Sequence, residues 1–197
     1  MRDIVIGLFE GPGVFPEPDH ARNVWPAPPD AEPALRSAAV LVPLVEHPQG
    51  MTVLLTQRTA TLTAHAGQIS FPGGRHAPGD ASPEDTALRE TEEEIGVPRD
   101  RIELVGRMNA YDTGTGFRVV PVVGLIRPPV ALAPDPGEVE EVFEVPIDFV
   151  REAANHRLER LLSRGEYREF WVMPYENRHI WGLTARILEQ LSRMMRG

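Results

Sequence analysis

Three glutamates in the middle of the chain have the types and the spacing to do chemistry. Glu90, Glu93 and Glu94 lie at positions i, i+3 and i+4 of a predicted helix, so their carboxylates share one helix face. A run of acids is often a solvated helix surface, and this is the alternative interpretation. A salt-bridged surface helix normally carries interleaved lysines, however, and this run has none. The arrangement therefore favours a functional site.

Such a cluster of carboxylates predicts a divalent-metal site. Hard oxygen ligands recruit Mg²⁺ or Mn²⁺, and magnesium typically keeps positions open for water and phosphate oxygens. The cation neutralises the charge that the carboxylates would otherwise turn against an anionic substrate. Upstream of the glutamates, Gly73 and Gly74 form a loop in which the backbone can come close to a ligand. Together these residues indicate a metal-dependent phosphate site.

The same residues carry a resemblance to a known family. From Gly74 to Val97 the sequence resembles the Nudix box, and its second half, which begins at Arg89-Glu90, agrees at every fixed position. Thr91 stands where the box has an apolar residue. Asp80 stands where the box has a glutamate, and eight residues rather than seven separate it from Arg89. The added residue leaves the spacing of the glutamates unchanged, but it leaves open whether Asp80 takes part in the metal site.

A second motif lies immediately upstream and resembles one branch of that superfamily, the coenzyme A pyrophosphatases. Thr59 stands where the branch usually has serine, and the branch often has the longer box with aspartate. Near the C-terminus, residues 180–185 are similar to the entry of the branch's closing helix, so the resemblance covers roughly residues 36–195. The residues that carry the upstream motif are Leu54-Leu55-Thr56-Gln57-Arg58-Thr59, Leu62, His65, Gly67 and Phe71-Pro72-Gly73-Gly74.

The resemblance implies an α/β fold of the Nudix type, an α/β/α sandwich with a mixed β-sheet. It implies that Glu90 and Glu94 are the principal ligands of Mg²⁺ or Mn²⁺, and that Glu93 is a further ligand or holds the attacking water. Arg89 falls where the family's arginine orients a glutamate, and Glu93 at i+4 is its expected partner. An exposed helix ion pair, contributing about 0.3–0.5 kcal/mol, is the alternative for Arg89.

The general base is expected outside the box. The candidates are Glu138 and Glu141, which follow the Pro134–Gly137 loop, and Glu138 is preferred because it belongs to that stretch. For both residues the alternative is a surface acid. The implied reaction is attack of water on one phosphorus of a pyrophosphate, in which the fold mainly positions the reactants.

The implied substrate is coenzyme A or an acyl derivative, cut to 3′,5′-ADP and (acyl-)4′-phosphopantetheine. Arg58, His65 and the Gly73-Gly74 loop are the expected substrate-binding residues of the upstream motif. Arg58 follows a buried strand, where a charge needs a partner, either a substrate phosphate or a neighbouring acid. The 3′-phosphate would be bound by Arg58, Arg75 or His76, although Arg75 and His76 also fit a solvated loop.

Two other functions compete with this one. A Nudix pyrophosphatase that acts on ADP-ribose or another nucleoside diphosphate derivative has the same box, and only the 54–74 motif separates the two. A binding or regulatory module that has lost catalysis would lack a metal carboxylate, whereas Glu90, Glu93 and Glu94 are all present.

The elements that must position these residues can be predicted from pattern. Ser82 and Pro83 begin a helix that ends at Gly96, and residues 59–81 form a long loop. A short helix is expected at 148–154, and an amphipathic helix at 181–195. The predicted strands are residues 38–45, 51–56, 102–108, 117–126 and 142–145, with a hairpin of 157–162 and 167–173.

Length, net charge and cysteine content limit the partners and the cellular compartment that can be expected. The chain has 197 residues, no cysteine and a net charge of −9, which argues against binding to nucleic acid or to an anionic membrane surface. We expect a cytoplasmic enzyme whose partner is a small molecule, and a homodimer is possible. Residues 1–33 hold seven prolines and are expected to be an arm without helix interior, either a linker or an extended segment over the domain or over a partner subunit. Residues 34–197 form the predicted domain.

Overall fold

A computed structural model describes residues 1–10, 35–60, 66–163 and 166–197. Within these residues the central sheet has eight strands. The strands are β1 (Arg36–His47), β2 (Gly50–Arg58), β3 (Ile69–Ser70), β4 (Gly73–Arg75), β5 (Ile102–Arg107), β6 (Tyr111–Asp112), β7 (Phe117–Ile126) and β8 (Val139–Pro146). The main path of the sheet runs β3-β2-β1-β7-β5, with β4 beside β1, β6 beside β7 and β8 beside β2. Strands β1 and β7 are parallel and the other pairs are antiparallel, so the sheet is mixed.

Four helices and a second sheet complete the described fold. The second sheet is antiparallel, in the order β11-β10-β9. Two short 3₁₀ turns lie at Arg99–Arg101 and Ala153–Asn155. The helices are α1 (Arg2–Gly7), α2 (Pro83–Ile95), α3 (Ile147–Arg151) and α4 (Gly182–Arg196), and the strands of the second sheet are β9 (Arg157–Ser163), β10 (Glu166–Tyr175) and β11 (Arg178–Trp181).

Helix α2, which carries the glutamates, begins and ends as its sequence predicts. The Ser82 hydroxyl accepts a hydrogen bond from the Asp85 N–H at 3.2 Å, and Pro83 occupies the first turn. Gly96 ends the helix in the left-handed conformation, with φ of 72°. Ala87 and Ile95 are buried against the sheet. The opposite helix face is left for charged side chains.

Two hydrophobic cores lie on the two faces of the central sheet. One packs α2 against Leu41, Leu54 and Val122. The other packs α4 against the opposite sheet face, with Leu44, Leu55, Leu125, Ile187 and Leu191 fully or almost fully buried. Helices on both faces of one sheet make an α/β/α sandwich, and the predicted fold class is confirmed.

The fold differs from the sequence expectations at its short elements. Residues 2–7 form α1, whose Val5 is buried in the core, so the expectation of a non-helical segment is wrong there. The reason is that the seven prolines all lie at or after position 12. The rest of the predicted arm, residues 11–33, lies outside the described residues. The predicted loop at 59–81 contains β3 and β4, which are too short to show a periodic pattern. The tip of the predicted 157–173 hairpin also lies outside the described residues.

In the described part of the chain, none of the helices has both the length and the apolar character needed to span a bilayer.

Candidate functional site

Strand β4 brings the glycine loop against the acidic helix. It pairs antiparallel with β1, with Val40 opposite Gly73 and Ala39 opposite Gly74. Gly73 has φ of 151°, and a Cβ there would collide with the backbone of β1. A Cβ on Gly74 would collide with the carboxylate of Glu90. Glycine is therefore required at position 73, whereas a side chain at position 74 would displace the Glu90 carboxylate that lies under the loop.

Glu94 is the most buried carboxylate of the predicted ligands, with 4% of the residue exposed. Its Oε2 accepts a hydrogen bond from the Gly73 N–H at 3.1 Å, and its Oε1 lies 3.4 Å from Nη1 of Arg58. These contacts are too few to offset the loss of hydration. Burial consequently raises the pKa of the Glu94 carboxyl to about 7.

Glu90 lies beside Glu94 under the glycine loop. Its Oε1 is 2.8 Å from Nη1 of Arg89. Burial raises the pKa of Glu90 in spite of this ion pair, and the charges of Glu93 and Glu138 act in the same direction. Two carboxylates with raised pKa values on one helix face are a site at which a cation would be favoured.

Glu93 shares the guanidinium of Arg89 with Glu90, since one carboxylate oxygen of each lies 2.8 Å from Nη1 of that arginine. Its side chain is 60% exposed, and its Oε2 accepts from Nη1 of Arg89 at 2.8 Å. Over the part of the chain that the structure describes, no three Asp, Glu or His side chains converge as a group of metal ligands. Glu90 and Glu94 are brought together, and Glu93 lies beside Glu90 on the Arg89 guanidinium but is far more exposed.

Asp80 holds Arg89 in place. The expected pair of Arg89 with Glu93 is present, but Arg89 also makes two hydrogen bonds of 3.0 Å to the carboxylate of Asp80. Asp80 further accepts from the Ala77 N–H at 2.8 Å and from the Thr86 hydroxyl at 2.9 Å. The guanidinium of Arg89 and these donors hold the pKa of Asp80 well below its usual range. With its oxygens so engaged, Asp80 orients the box arginine.

Arg58 links the acidic helix to the loop that was predicted to supply the base. Besides its contact with Glu94, its Nη2 lies 3.7 Å from the carboxylate of Glu138. The charge of Arg58 is therefore paired with two acids, Glu94 and Glu138. Glu141 is held elsewhere, because its carboxylate is paired with Arg178, which also binds Glu176 at 2.9 Å. Of the two candidate bases, Glu138 is the one whose charge is close enough to influence Glu90 and Glu94.

The remaining predicted binding residues are dispersed. Arg75 is exposed in β4, and its carbonyl oxygen accepts from Nη2 of Arg89 at 2.9 Å. His76 lies 3.4 Å from the Thr86 hydroxyl and 3.9 Å from Asp80. His65 lies outside the described residues.

The residues of the site fit a divalent cation. Carboxylate oxygens are ligands of the type that Mg²⁺ and Mn²⁺ prefer. Both Glu90 and Glu94 are partly dehydrated and incompletely neutralised by the arginines around them. Gly74 places backbone, and no side chain, against the carboxylate of Glu90. Glu90 and Glu94 would hold the cation, and rotation of Glu93 would add a third carboxylate.

Comparison with known proteins places these residues in a family. A family profile described as NUDIX domain matches residues 35–164. A curated relative from Photorhabdus laumondii, "Uncharacterized Nudix hydrolase NudL", is 39% identical over 160 residues, covering 81% of this chain and 85% of the relative. The protein of the same name from Escherichia coli strain K12 is 40% identical over 157 residues, covering 80% and 81%.

Solved structures agree at the level of the fold. The NUDIX domain of Shewanella oneidensis NrtR, solved with ADP ribose, has a TM-score of 0.52 at 22% identity and covers 84% of this chain and 92% of that one. A MutT/nudix family protein from Enterococcus faecalis has a TM-score of 0.52 at 21% identity and covers 87% and 66%. At these identities the likeness shows the fold alone. The family profile and the curated relatives show more, and the chain belongs to the Nudix hydrolase family.

Proposed function

We propose that this enzyme hydrolyses the pyrophosphate of coenzyme A or acyl-CoA to 3′,5′-ADP and (acyl-)4′-phosphopantetheine. The observation that supports the proposal is that described residues of the 54–74 segment contact the glutamates of the acidic helix. Gly73 donates to Glu94, Gly74 closes over Glu90, and Arg58 reaches Glu94 and Glu138. These contacts support the proposal, because they join the segment that resembles the coenzyme A branch to the proposed catalytic glutamates.

In the proposed reaction, water attacks one phosphorus of the pyrophosphate and the bridging P–O bond breaks. A Mg²⁺ or Mn²⁺ ion at this site would offset the developing negative charge and make water a better nucleophile. Glu90 and Glu94 would provide the negative charge that holds the ion beside the glycine loop. Arg58 has a guanidinium within reach of both the carboxylates and the loop, so it can turn toward a phosphate oxygen when substrate enters.

Glu138 is the proposed base that takes the proton from the attacking water. Its side chain is half exposed, so it is free to turn toward the site, and its contact with Arg58 is a long one of 3.7 Å. Glu141 is tied to Arg178 and is the matched control. We expect Glu138→Gln to lower kcat by about 100-fold or more, in the range typical of a general base, and Glu141→Gln to lower it far less. Equal losses in the two variants would remove the assignment.

Chromatographic measurement of the nucleotide products tests the substrate. Coenzyme A, acetyl-CoA, ADP-ribose, NADH and dinucleoside polyphosphates are each supplied with Mg²⁺ and then with Mn²⁺, and kcat/KM is compared. The expected result is the highest kcat/KM for coenzyme A or its acyl derivative. A higher value for ADP-ribose would move the assignment to the nucleoside diphosphate derivatives, which share the same hydrolytic chemistry.

The proposal also covers the cellular location, the partners and the oligomeric state of the enzyme. A coenzyme A hydrolase of this composition belongs in the cytoplasm and acts without nucleic acid or membrane partners. Light scattering of the purified chain distinguishes a homodimer from a monomer, and fractionation of cells tests the location.

A further inference from the structure

The loop that leads to Glu138 is bound to the C-terminal end of helix α2. The N–H of Ala133 donates to the carbonyl of Ile95, and the N–H of Asp135 donates to the carbonyl of Glu94, both at 2.9 Å. These carbonyls belong to the last turn of the helix, where no N–H of the helix itself can reach them. The loop therefore completes the helix, and one of its two bonds is made to the backbone of a proposed metal ligand.

Gly96 allows this close approach of the loop to the helix. It ends α2 with φ of 72°, which favours glycine. A Cβ at this position would lie 2.7 Å from the Cβ of Ala133, which is too short a distance for two carbon atoms. A side chain at position 96 would consequently push the loop away from α2.

Asp135 shapes the turn that ends at Glu138. Its Oδ1 accepts a hydrogen bond from the Gly137 N–H at 2.8 Å, an arrangement in which the aspartate side chain mimics a backbone turn. Its carbonyl oxygen accepts from the N–H of Glu138 at 3.0 Å and from that of Val139 at 2.8 Å. Pro136 restricts φ within the same turn. The carboxylate and the carbonyl of one residue therefore determine where the backbone of Glu138 lies.

Thr59 holds the same turn from the side of β2. Its N–H donates to the Glu138 carbonyl at 3.0 Å, and its hydroxyl donates to the Gly137 carbonyl at 3.3 Å. Thr59 directly follows Arg58, whose guanidinium lies 3.4 Å from Glu94 and 3.7 Å from Glu138. The backbone of Glu138 is thus fixed at its N–H and at its carbonyl, while its side chain is half exposed and free to turn.

We infer that Asp135 is a positioning residue, which places the carboxylate of Glu138 beside Glu94 for removal of a proton from the attacking water. The inference rests on the proposed function, in which Glu138 is the base. Catalytic groups must be held closely, and a displacement of about 1 Å can cost 100-fold in rate. In this role Asp135 acts through Glu138 and not on the substrate.

Substitutions at position 135 test the role of the side chain. Asp135→Ala removes the acceptor of the Gly137 N–H and is expected to lower kcat by about 10- to 100-fold with little change in KM. Asp135→Asn keeps an oxygen acceptor at the same place and should restore most of the kcat. Asp135→Glu keeps the charge but moves the acceptor away from Gly137, so it should resemble Asp135→Ala. The control Asp100→Ala, at an exposed acid in the 3₁₀ turn that follows α2, should keep the wild-type kcat.

Thermal unfolding shows whether these variants keep the fold and the metal site. Each of them should gain stability from added Mg²⁺ as the wild type does, because Glu90 and Glu94 are unchanged. A loss of kcat together with an unchanged gain from Mg²⁺ is the result expected of a positioning residue. A loss of the gain in Asp135→Asn or Asp135→Glu would mean that Asp135 supports the metal site, and would overturn the inference.

Combination with Glu138→Gln separates positioning from a general loss of structure. If Asp135 acts through Glu138, Asp135→Ala should lower the kcat of the Glu138→Gln enzyme by less than about twofold, because the effects of residues that act as a unit do not add. A further loss as large as in the wild type would overturn the inference, and so would a wild-type kcat of Asp135→Ala, while the proposed function stands. Near-normal kcat of Glu138→Gln alone would instead remove the proposed base, and the inference with it. Since all variants are compared on one substrate, the result holds whether coenzyme A or ADP-ribose is cleaved faster.

Discussion

Glu94 of helix α2 and Asp80 of the loop before it both have largely buried carboxylates, but their pKa values are shifted in opposite directions. Asp80 receives the guanidinium of Arg89, a backbone N–H and a hydroxyl, and its pKa lies well below the usual range. Glu94 receives one N–H and a distant guanidinium, and burial raises its pKa to about 7. The charged carboxylate of Asp80 therefore stabilises the fold, whereas the charge of Glu94 has too few hydrogen-bond donors and cations around it to offset its burial.

An uncompensated buried charge is unfavourable unless a ligand provides the missing partner. The Glu94 region therefore has the property expected of a cation site, and the Asp80 region has the property expected of its scaffold. Arg89 connects the two regions, because it binds Asp80 on one side and Glu90 and Glu93 on the other. Substitutions in the two regions should consequently have different consequences.

The largest expected effect is on turnover. We expect Glu90→Gln and Glu94→Gln each to lower kcat by several orders of magnitude, because a nearly isosteric amide removes a ligand charge. The loss should exceed the 10- to 100-fold that is typical when only a supporting residue of a ligand is changed. Glu92→Gln is the control, since Glu92 lies on the same helix and is paired with Arg99. Near-normal kcat of either variant at saturating Mg²⁺ would contradict the assignment of the ligands.

The next effect is on stabilisation by metal. A ligand that binds only the folded state adds about 2.7 kcal/mol at a hundred times its Kd. Thermal unfolding of chelated protein, with and without added Mg²⁺ or Mn²⁺, should show this gain in the wild type. Ca²⁺ should also bind but support less turnover, since its larger and looser shell positions water poorly.

The same measurement on variants sharpens the comparison of the two regions. Glu94→Gln should lose most of the gain, and Asp80→Asn should retain it relative to its own metal-free baseline. Loss of the gain in Asp80→Asn would make Asp80 part of the metal site. Unchanged unfolding of the wild type with all three ions at millimolar concentration would contradict a metal site at Glu90 and Glu94.

A smaller effect is expected on the stability of the metal-free fold. Asp80→Asn should lower the free energy of unfolding at pH 7 by about 2 kcal/mol, because charge-assisted hydrogen bonds are lost. The folded-state pKa of Asp80 is lowered, so its contribution is complete above the ordinary value of 3.8 and is lost as the pH falls below it. Urea unfolding between pH 7 and pH 3 should therefore show a weaker decline in the variant than in the wild type. Asp148→Asn, which changes an exposed acid 3.6 Å from Arg151, should leave the slope unchanged.

The contrast between the two regions also marks the limit of what the sequence could predict. The bounds of α2, the shared helix face of the glutamates and the Arg89–Glu93 pair follow from local spacing, and all were predictable. The role of Asp80 was not, because the loop that precedes α2 determines which donors reach its carboxylate. Glu93 was expected with the ligands, but its 60% exposed side chain is turned to Arg89.

Contacts between residues that are distant in sequence also limit what could be predicted about other parts of the molecule. Strand β4 has three residues, two of them glycine, so it has no alternating pattern, and only its pairing with β1 shows that Gly74 closes over Glu90. The sequence does not predict the contact of Arg36 and Arg75 with the Phe117 ring, because this contact depends on the register of three strands. Glu141 resembles Glu138 in sequence, and the difference between them arises from Arg178, which is distant along the chain.

The smallest expected effect has the opposite sign to the others. In the absence of metal, Glu94→Gln should raise the free energy of unfolding at pH 8. The raised pKa of Glu94 means that its charge costs more by burial and by repulsion from Glu90 and Glu138 than it gains from Gly73 and Arg58. A neutral amide keeps part of the hydrogen bonding without that cost. The expected gain is about 1 kcal/mol, less than the full pKa shift implies at 1.36 kcal/mol per unit, because the amide accepts more weakly from Gly73. Urea unfolding in excess chelator measures the gain, with Glu92→Gln as the near-neutral control. A destabilised Glu94→Gln protein would mean that Gly73 and Arg58 already compensate the charge, and Glu94 would then resemble Asp80.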